Sequence, residues 1–356
     1  PLTLAQCSTC DHVQLREVVE PALMFQDYAY QSATSPVFRE HLSALGRKLS
    51  ATLFPGDLVV EIGSNDGTLL RQFLPPLRSL GIDPARNLAE RATNDGALTY
   101  PGFFDAAVAK AVRRSVGRAR LVIGLNVLAH IPDAAGTADA IRDMLADDGE
   151  LVLEVGYLPD VVATNNFPVV YHEHTDMWSL RPMRRFYESR GLYLYDAERI
   201  DSQGGSVRAF VSKRPKAPTD RLERLLGGER SLNERLAGWQ ARVDEVRQNI
   251  GDAVRAMKQA GHTICGYGAA AKSTTLLHAC GLGRDELDCI FDLNPLKIGK
   301  FTPGKHVPVV SPTEVAARKP DYILMLSGNF SASIRSQHSE YAGKWIEPLP
   351  EVRIVE

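Results

Sequence analysis

Cysteine is scarce and odd in number, five in 356 residues. A disulfide framework needs paired, closely spaced cysteines, so none is expected, and a thiol-bearing chain of this size reads as belonging to a reducing, cytoplasmic compartment. Net charge is nearly missing too. At −2 the chain lacks the basic excess of a nucleic-acid-wrapping protein, and no apolar run reaches the roughly 20 residues of a membrane helix. Neither nucleic acid nor membrane is an expected partner, and the sequence leaves monomer and weak dimer open. No repeat of fixed period is present. The opening Pro1-Leu2-Thr3-Leu4 reads as a truncated or partly ordered start, not as a signal peptide.

What is there is an ordinary globular composition, 44% hydrophobic and 24% charged, in a chain long enough for two or three domains of about 150 residues each. Its most informative stretch is Leu58-Val59-Val60-Glu61-Ile62-Gly63-Ser64-Asn65-Asp66-Gly67-Thr68-Leu69-Leu70. A β-branched run that stops at an acid and a glycine, then turns helix-like, predicts a strand, a tight turn and a helix over Thr68 to Phe73. Gly63 and Gly67 let a ligand approach the backbone, while Glu61 discourages a pyrophosphate and suits a cationic or hydroxyl-bearing ligand. The pattern is E-x-G-x-x-x-G, not the dinucleotide G-x-G-x-x-G, and it resembles the first motif of S-adenosylmethionine (SAM)-dependent methyltransferases. A plain packing turn has the same glycines. Strand-like runs then end at Asp83, Asn126 and Glu154, with helical segments between them, which implies a parallel doubly wound sheet with its ligands at the carboxyl ends of the strands. Asp83 is placed to accept from both ribose hydroxyls of an adenosine, or to make an Asp-Pro turn.

The densest constellation is Tyr171-His172-Glu173-His174. It lacks the H-E-x-x-H spacing of a zinc protease, but a histidine held by a carboxylate is a natural general base near neutral pH. If the segment is extended, His172 and His174 point together; otherwise a bend separates them. An exposed polar loop is the bland alternative. His130, in Asn126-Val127-Leu128-Ala129-His130, either touches substrate or caps its loop. Cys7 and Cys10 form a C-x-x-C that is half of a zinc site or a hairpin turn with two thiols, and Cys265, Cys280 and Cys289 sit among apolar neighbours as core residues. Residues 216–260 carry leucines at helical spacing and read as a helical connector. Thr263 to Lys272 then opens a second α/β unit through a strand, a glycine turn and a helix start.

Over nearly the whole chain the sequence resembles the sugar C-methyltransferases that act on nucleotide-linked keto-deoxysugars in antibiotic biosynthesis. The resemblance is carried by Cys7 to Cys10 with Val13-Gln14-Leu15, Tyr28-Ala29-Tyr30-Gln31-Ser32, Glu61 to Leu70, Tyr171 to His174, Gly204-Gly205-Ser206-Val207-Arg208, Gly266 to Lys272, and Asp292-Leu293-Asn294-Pro295 with Lys297. It implies a zinc module over 1–45 whose other ligands lie before Pro1, a class I SAM-methyltransferase domain over 46–215, the connector, and a Rossmann-like substrate domain over 261–356. It also implies roles. His174 would be the base that removes a proton beside a ketone, Glu173 its partner, Tyr171 and His130 donors to the keto oxygen, and Tyr30, more than Tyr28, a contact to the sugar. SAM would meet Glu61, Gly63, Ser64, Asn65, Asp66, Asp83 and Asn126, and the sugar nucleotide, with dTDP as carrier, would meet Tyr28, His172, Arg208, Tyr267, Lys272, Asn294 and Lys297. The chain departs from the family after His174, where Thr175-Asp176-Met177-Trp178-Ser179 replaces an aromatic-rich stretch, and at Ser273-Thr274-Thr275, which still suits a phosphate at a helix start. Methylation of oxygen or nitrogen on a small metabolite, and epimerisation beside the ketone by the same base, are the alternatives.

Overall fold

In a computed structural model that describes residues 2–26, 28 and 31–356, every residue of the Leu58–Ile62 run is buried. By close packing the chain divides into two units, Pro1–Leu158 with His172–Arg230, and Pro159–Tyr171 with Ser231–Glu356.

The first unit opens with a hairpin, β1 (Leu4–Gln6) and β2 (Val13–Leu15), followed by α1 (Pro21–Phe25) and α2 (Pro36–Ser50). Ser35 caps α2 by accepting from the Phe38 N–H, and Pro36 fixes the first helical residue. Then come β3 (Leu58–Ile62), β4 (Arg78–Asp83), α3 (Arg86–Asn94), β5 (Thr99–Pro101), α4 (Ala106–Ser115), β6 (Ala119–Leu125), α5 (Ala134–Met144) and β7 (Leu145–Gly156). Helix α6 (Leu158–Ala163) begins at the boundary between the units, and the chain returns with β8 (Asp176–Met177), α7 (Leu180–Glu188), β9 (Tyr193–Ile200), β10 (Ser206–Ser212) and α8 (Asp220–Gly228). The main sheet has the order β5-β4-β3-β6-β7-β10-β9. Its strands are parallel from β5 to β7, and β10 is antiparallel to both neighbours.

The strand period explains why β3 is buried on both faces. Leu58, Val60 and Ile62 join a core with Val112, Ile141 and Met144 of the helices on one side. Val59 faces the other way and packs with Phe38, Leu42, Leu45 and Leu49, the apolar stripe of α2. Because β4 lies on one side of β3 and β6 on the other, strand order reverses at β3 and opens a crevice at its carboxyl end.

The helix expected over Thr68 to Phe73 is a single 3-10 turn at Leu70–Gln72. Asp66 takes both the N–H and the hydroxyl of Thr68 (3.2 and 2.6 Å), and Pro75-Pro76 end the segment before an α-turn can propagate. The hairpin β1–β2 pairs with β8 through β2. Cys7 and Cys10 flank its turn as free thiols. Among the described residues no cluster of three or more His, Cys, Asp or Glu is arranged to hold a metal ion, so the expected zinc module is represented there by two cysteines only.

The second unit holds α9 (Leu232–Ala237), α10 (Trp239–Gln259), β11 (Ile264–Tyr267), α11 (Ala271–Ala279), β12 (Ile290–Phe291), β13 (Val309–Val310), β14 (Tyr322–Met325), β15 (Lys344–Glu347) and β16 (Arg353–Val355). Its sheet order is β13-β12-β11-β14-β15-β16, parallel except for β16. Cys265, Tyr267, Phe291, Ile323, Met325 and Trp345 fill its core, and the turn at Phe167–Val169 packs against α11.

Arg208 on β10 stands in register between Glu154 on β7 and Glu198 on β9. Its guanidinium is buried and donates to Glu154 (2.6 Å) and Glu198 (2.5 Å), while His41 of α2 meets the other oxygen of Glu154 at 2.8 Å. The side chain that the family resemblance assigns to substrate is thus bound by two carboxylates within the sheet. Truncation to Arg208→Ala leaves the fully buried Glu154 carboxylate with only His41, and urea unfolding should show a loss of about 3–5 kcal/mol. A loss too small to measure would contradict this account of the network.

Candidate active site

Three loops converge at the carboxyl end of β3. Gly63 (φ 69) and Gly67 (φ 73) bend the first of them. A Cβ at Gly63 would come within 2.9 Å of Val127, and one at Gly67 within 2.5 Å of Ala97, so both glycines are required by backbone angle and by packing. Asn65 and Asn126 also take left-handed angles (φ 52 and 54), which asparagine tolerates. Asp83, at the end of β4, accepts from the Asn65 N–H and the Ala85 N–H, each at 2.8 Å, and so ties the loop after β3 to the loop after β4. Each carboxylate oxygen retains a second lone pair.

Glu61, Asp66 and Asp83 are all buried around this turn. Burial pushes the Glu61 carboxyl well above its usual range, and the negative charges of Asp83 and Asp66 add to that, with Arg71 opposing. Asp83 is also raised by burial, against the two N–H bonds it accepts. Among the described residues, one oxygen of Glu61 and the hydroxyl of Ser64 are buried without a hydrogen-bond partner. A pocket of acids with one unpartnered oxygen fits a cationic group, and SAM carries both a sulfonium and an ammonium. The residues present therefore fit the cofactor.

A second layer of residues, from the stretch around Tyr28 to Ser32 that the family resemblance includes, lies over the turn. The Ser32 N–H donates to the Asn65 side chain at 2.9 Å and the Ala33 N–H to Asp66 at 2.8 Å. From the same N-terminal stretch, the Tyr28 hydroxyl donates to Glu173 at 2.8 Å, and the Asn87 amide donates to the Tyr28 carbonyl at 3.2 Å. Tyr30 lies outside the described residues. Phe103, which the sequence reading does not single out, is exposed and follows Gly102, whose N–H donates to the Asp83 carbonyl at 2.9 Å.

The Tyr171–His174 segment is a turn, not an extended strand, so a bend separates His172, which is exposed, from the half-buried His174. The His174 ring meets the His130 ring edge-on at 5.1 Å, and Phe25 covers His130 at 5.4 Å. Glu173 lies 4.0 Å from His130 and is raised by burial, with the Tyr28 hydrogen bond opposing. Burial lowers His130 to about 4. Glu173, His130, His174 and Tyr28 are therefore brought together, whereas Tyr171 is the last residue of the segment that groups with the second unit.

In the second unit, the glycine turn is closed by its own side chains. Asp292 accepts from the Ala269 N–H at 2.7 Å and the Asn294 N–H at 2.8 Å, and the Ser273 hydroxyl accepts from the Ala270 N–H at 3.1 Å. Lys297 donates to the Ala269 carbonyl at 2.8 Å. Burial lowers Lys272 to about 8, and Tyr267, raised to about 12 by burial and Asp292, pairs with His338 at 3.0 Å.

A cation bound beside Glu61 stabilises its ionised form, so SAM binding should release protons wherever the free enzyme holds Glu61 protonated. Affinity then rises with pH up to the raised value for Glu61 and flattens beyond it. Calorimetry in buffers of different ionisation enthalpy checks the sign; proton uptake on binding would contradict it.

A family model described as a methyltransferase domain matches residues 35–197, and one described as a C-methyltransferase C-terminal domain matches residues 201–350. C-methyltransferase NovU of Streptomyces niveus is 36% identical over 376 aligned residues, which cover 100% of this chain and 87% of that protein. Among solved structures, magnesium protoporphyrin IX methyltransferase of Synechocystis PCC 6803 with bound SAH is similar over 49% of this chain and 83% of its own, at 16% identity and a TM-score of 0.39. The YcgJ protein of Bacillus subtilis covers 50% of this chain with 100% of its own, at 13% identity and a TM-score of 0.40. With a relative similar from end to end and family models on both halves, the chain belongs to the C-methyltransferase family and is a SAM-dependent methyltransferase.

Proposed function

We propose that the enzyme transfers the SAM methyl group to the carbon beside the ketone of a nucleotide-linked keto-deoxysugar, with dTDP as the carrier. The observation that supports this most is the cluster of His174, His130, Glu173 and Tyr28, because methyl transfer to carbon needs a base, whereas the sulfonium already supplies the leaving group. His174 takes the α-proton. The C–H electrons form the enolate, its carbon attacks the methyl group, and the C–S bond electrons return to sulfur. His130, lowered to about 4, is a neutral imidazole at pH 7 and donates its N–H to the keto oxygen as charge grows there, a role shared with Tyr171. Tyr30, outside the described residues, is assigned to the sugar by the family resemblance alone. SAM is held by Glu61, Gly63, Ser64, Asn65, Asp66, Asp83 and Asn126, with the exposed Phe103 ring as a face for the adenine. Tyr267, Lys272, Asn294 and Lys297 are the residues by which the second unit recognises the carrier.

Cys7 and Cys10 are, in the same reading, two ligands of a structural zinc. The N–H groups of Cys10 and Thr9 hold the Cys7 thiol below its usual range, which suits a thiolate. Metal analysis of the purified protein that found no zinc would remove this assignment.

The base assignment has a direct test. His174→Asn should leave SAM affinity unchanged, lower the methyl-transfer rate by roughly 10²–10⁴, the usual contribution of a positioned base, and stop exchange of the sugar's α-proton with deuterated water. Exchange at the wild-type rate would pass the role to His130 or Tyr171.

A further inference from the structure

Helix α7 begins without a cap of its own. Ser179 occupies the N-cap position with extended angles (φ −126, ψ 160), yet its side chain makes no capping bond. The open N–H groups are taken from a distance: Glu229 accepts from Leu180 at 2.6 Å and from Arg181 at 2.8 Å. The oxygen bound to Leu180 also accepts from the Tyr157 hydroxyl at 2.8 Å. Glu229 is 3% exposed, Tyr157 likewise 3%. Among the described residues no Lys or Arg forms a close ion pair with this buried carboxylate, and the charge of Arg181 acts on it only as the weakest of its compensating interactions. Two N–H groups at the positive end of a helix and one phenol compensate it instead.

The three partners occupy a particular place in the chain. The backbone passes between the two units at Leu158–Pro159, at Tyr171–His172 and at Arg230–Ser231. Tyr157 precedes the first crossing by one residue, Glu229 precedes the third by one, and Leu180 closes the stretch that begins at the second. That stretch contains Glu173 and His174. It is fixed at intermediate points too: the Leu158 N–H donates to the Trp178 carbonyl at 2.9 Å, and the N–H and hydroxyl of Thr175 both donate to the carbonyl of Ala129, next to His130, at 2.7 and 2.9 Å. A stretch of backbone anchored by hydrogen bonds therefore runs from the Glu229 contact at Leu180 through Ser179 to Thr175, one residue from His174.

We propose that Glu229 is a positioning residue, which clamps the stretch from His172 to Ser179 and thereby sets the base against the methyl donor. The proposal rests on the assignment of His174 to the reacting centre. Burying an acid for stability alone gains little over an apolar side chain, and two backbone donors plus a phenol fix one geometry.

Two variants of the full chain test it, Glu229→Gln and Tyr157→Phe. The glutamine keeps the shape but turns an amide NH2 toward one of the helix N–H groups. In Glu229→Gln, amide exchange should quicken at Leu180, Arg181 and residues 172–178 while the strands of the main sheet stay protected. The kcat for methyl transfer should fall about 10- to 100-fold, the scale of a small misplacement of reacting groups, with SAM affinity unchanged. Tyr157→Phe keeps the helix cap and should show the same pattern more weakly, and it decides the matter if the glutamine variant does not fold. Faster exchange across the whole sheet, unchanged exchange, or local loosening with kcat unaltered would each overturn the proposal. If the wild type methylates no keto-sugar, the proposed function has failed, and the exchange pattern alone then supports or overturns the clamp.

Discussion

A carboxylate at the end of a strand that is buried on both faces has to be compensated, and Glu61 is compensated only in part. Asp66 and Asp83 stand beside it, and Arg71, the cation that opposes them, donates to the Asp66 carbonyl and the Thr68 hydroxyl. The local architecture follows from that constraint. Backbone N–H groups of Ala33, Asn65, Ala85 and Thr68 turn toward Asp66 and Asp83, so the loops after β3 and β4 and the stretch before α2 are held together by the acids themselves. Among the described residues the second oxygen of Glu61 has no hydrogen-bond partner, and in the proposed reading a cationic methyl donor completes it.

At the candidate reacting centre the electrostatics run the other way. Burial drives His130 and Glu173 toward their neutral forms, one lowered and the other raised. An enolate gathers negative charge, and a neutral imidazole with a phenol-bound carboxyl beside it opposes that charge less than a free carboxylate does. Tyr28 connects the two regions through its neighbours: its hydroxyl reaches Glu173, and four residues on, Ser32 and Ala33 hold the turn after β3. In the proposed reading, loosening this stretch disturbs the donor site and the base together.

Much of this was legible in the sequence because it is local. The β-branched run at 58–62, the acids and amides at strand ends, and the glycines at 63 and 67 each report on their immediate backbone, and the strands formed where the runs lie. The helix after Gly67 failed because Asp66 captures Thr68 and two prolines follow within the next turns, a competition that apolar spacing does not reveal. Arg208 reads as a binding residue in its motif, but the register that sets it between Glu154 and Glu198 exists only once three strands are aligned. The same holds for Ser32 on Asn65, 33 residues apart, and for Glu229 on Leu180, 49 apart, since backbone donors carry no sequence signature.

The central claim is that a buried acid turn and a histidine–carboxyl cluster in one unit serve methyl transfer to carbon. Its most direct measurement is product analysis after incubation with methyl-labelled SAM and a panel of dTDP-linked keto-sugars. The account predicts one labelled methyl on the carbon beside the ketone, joined by a carbon–carbon bond in the NMR spectrum of the product. Label on oxygen or nitrogen, or an epimerised sugar without label, would contradict it.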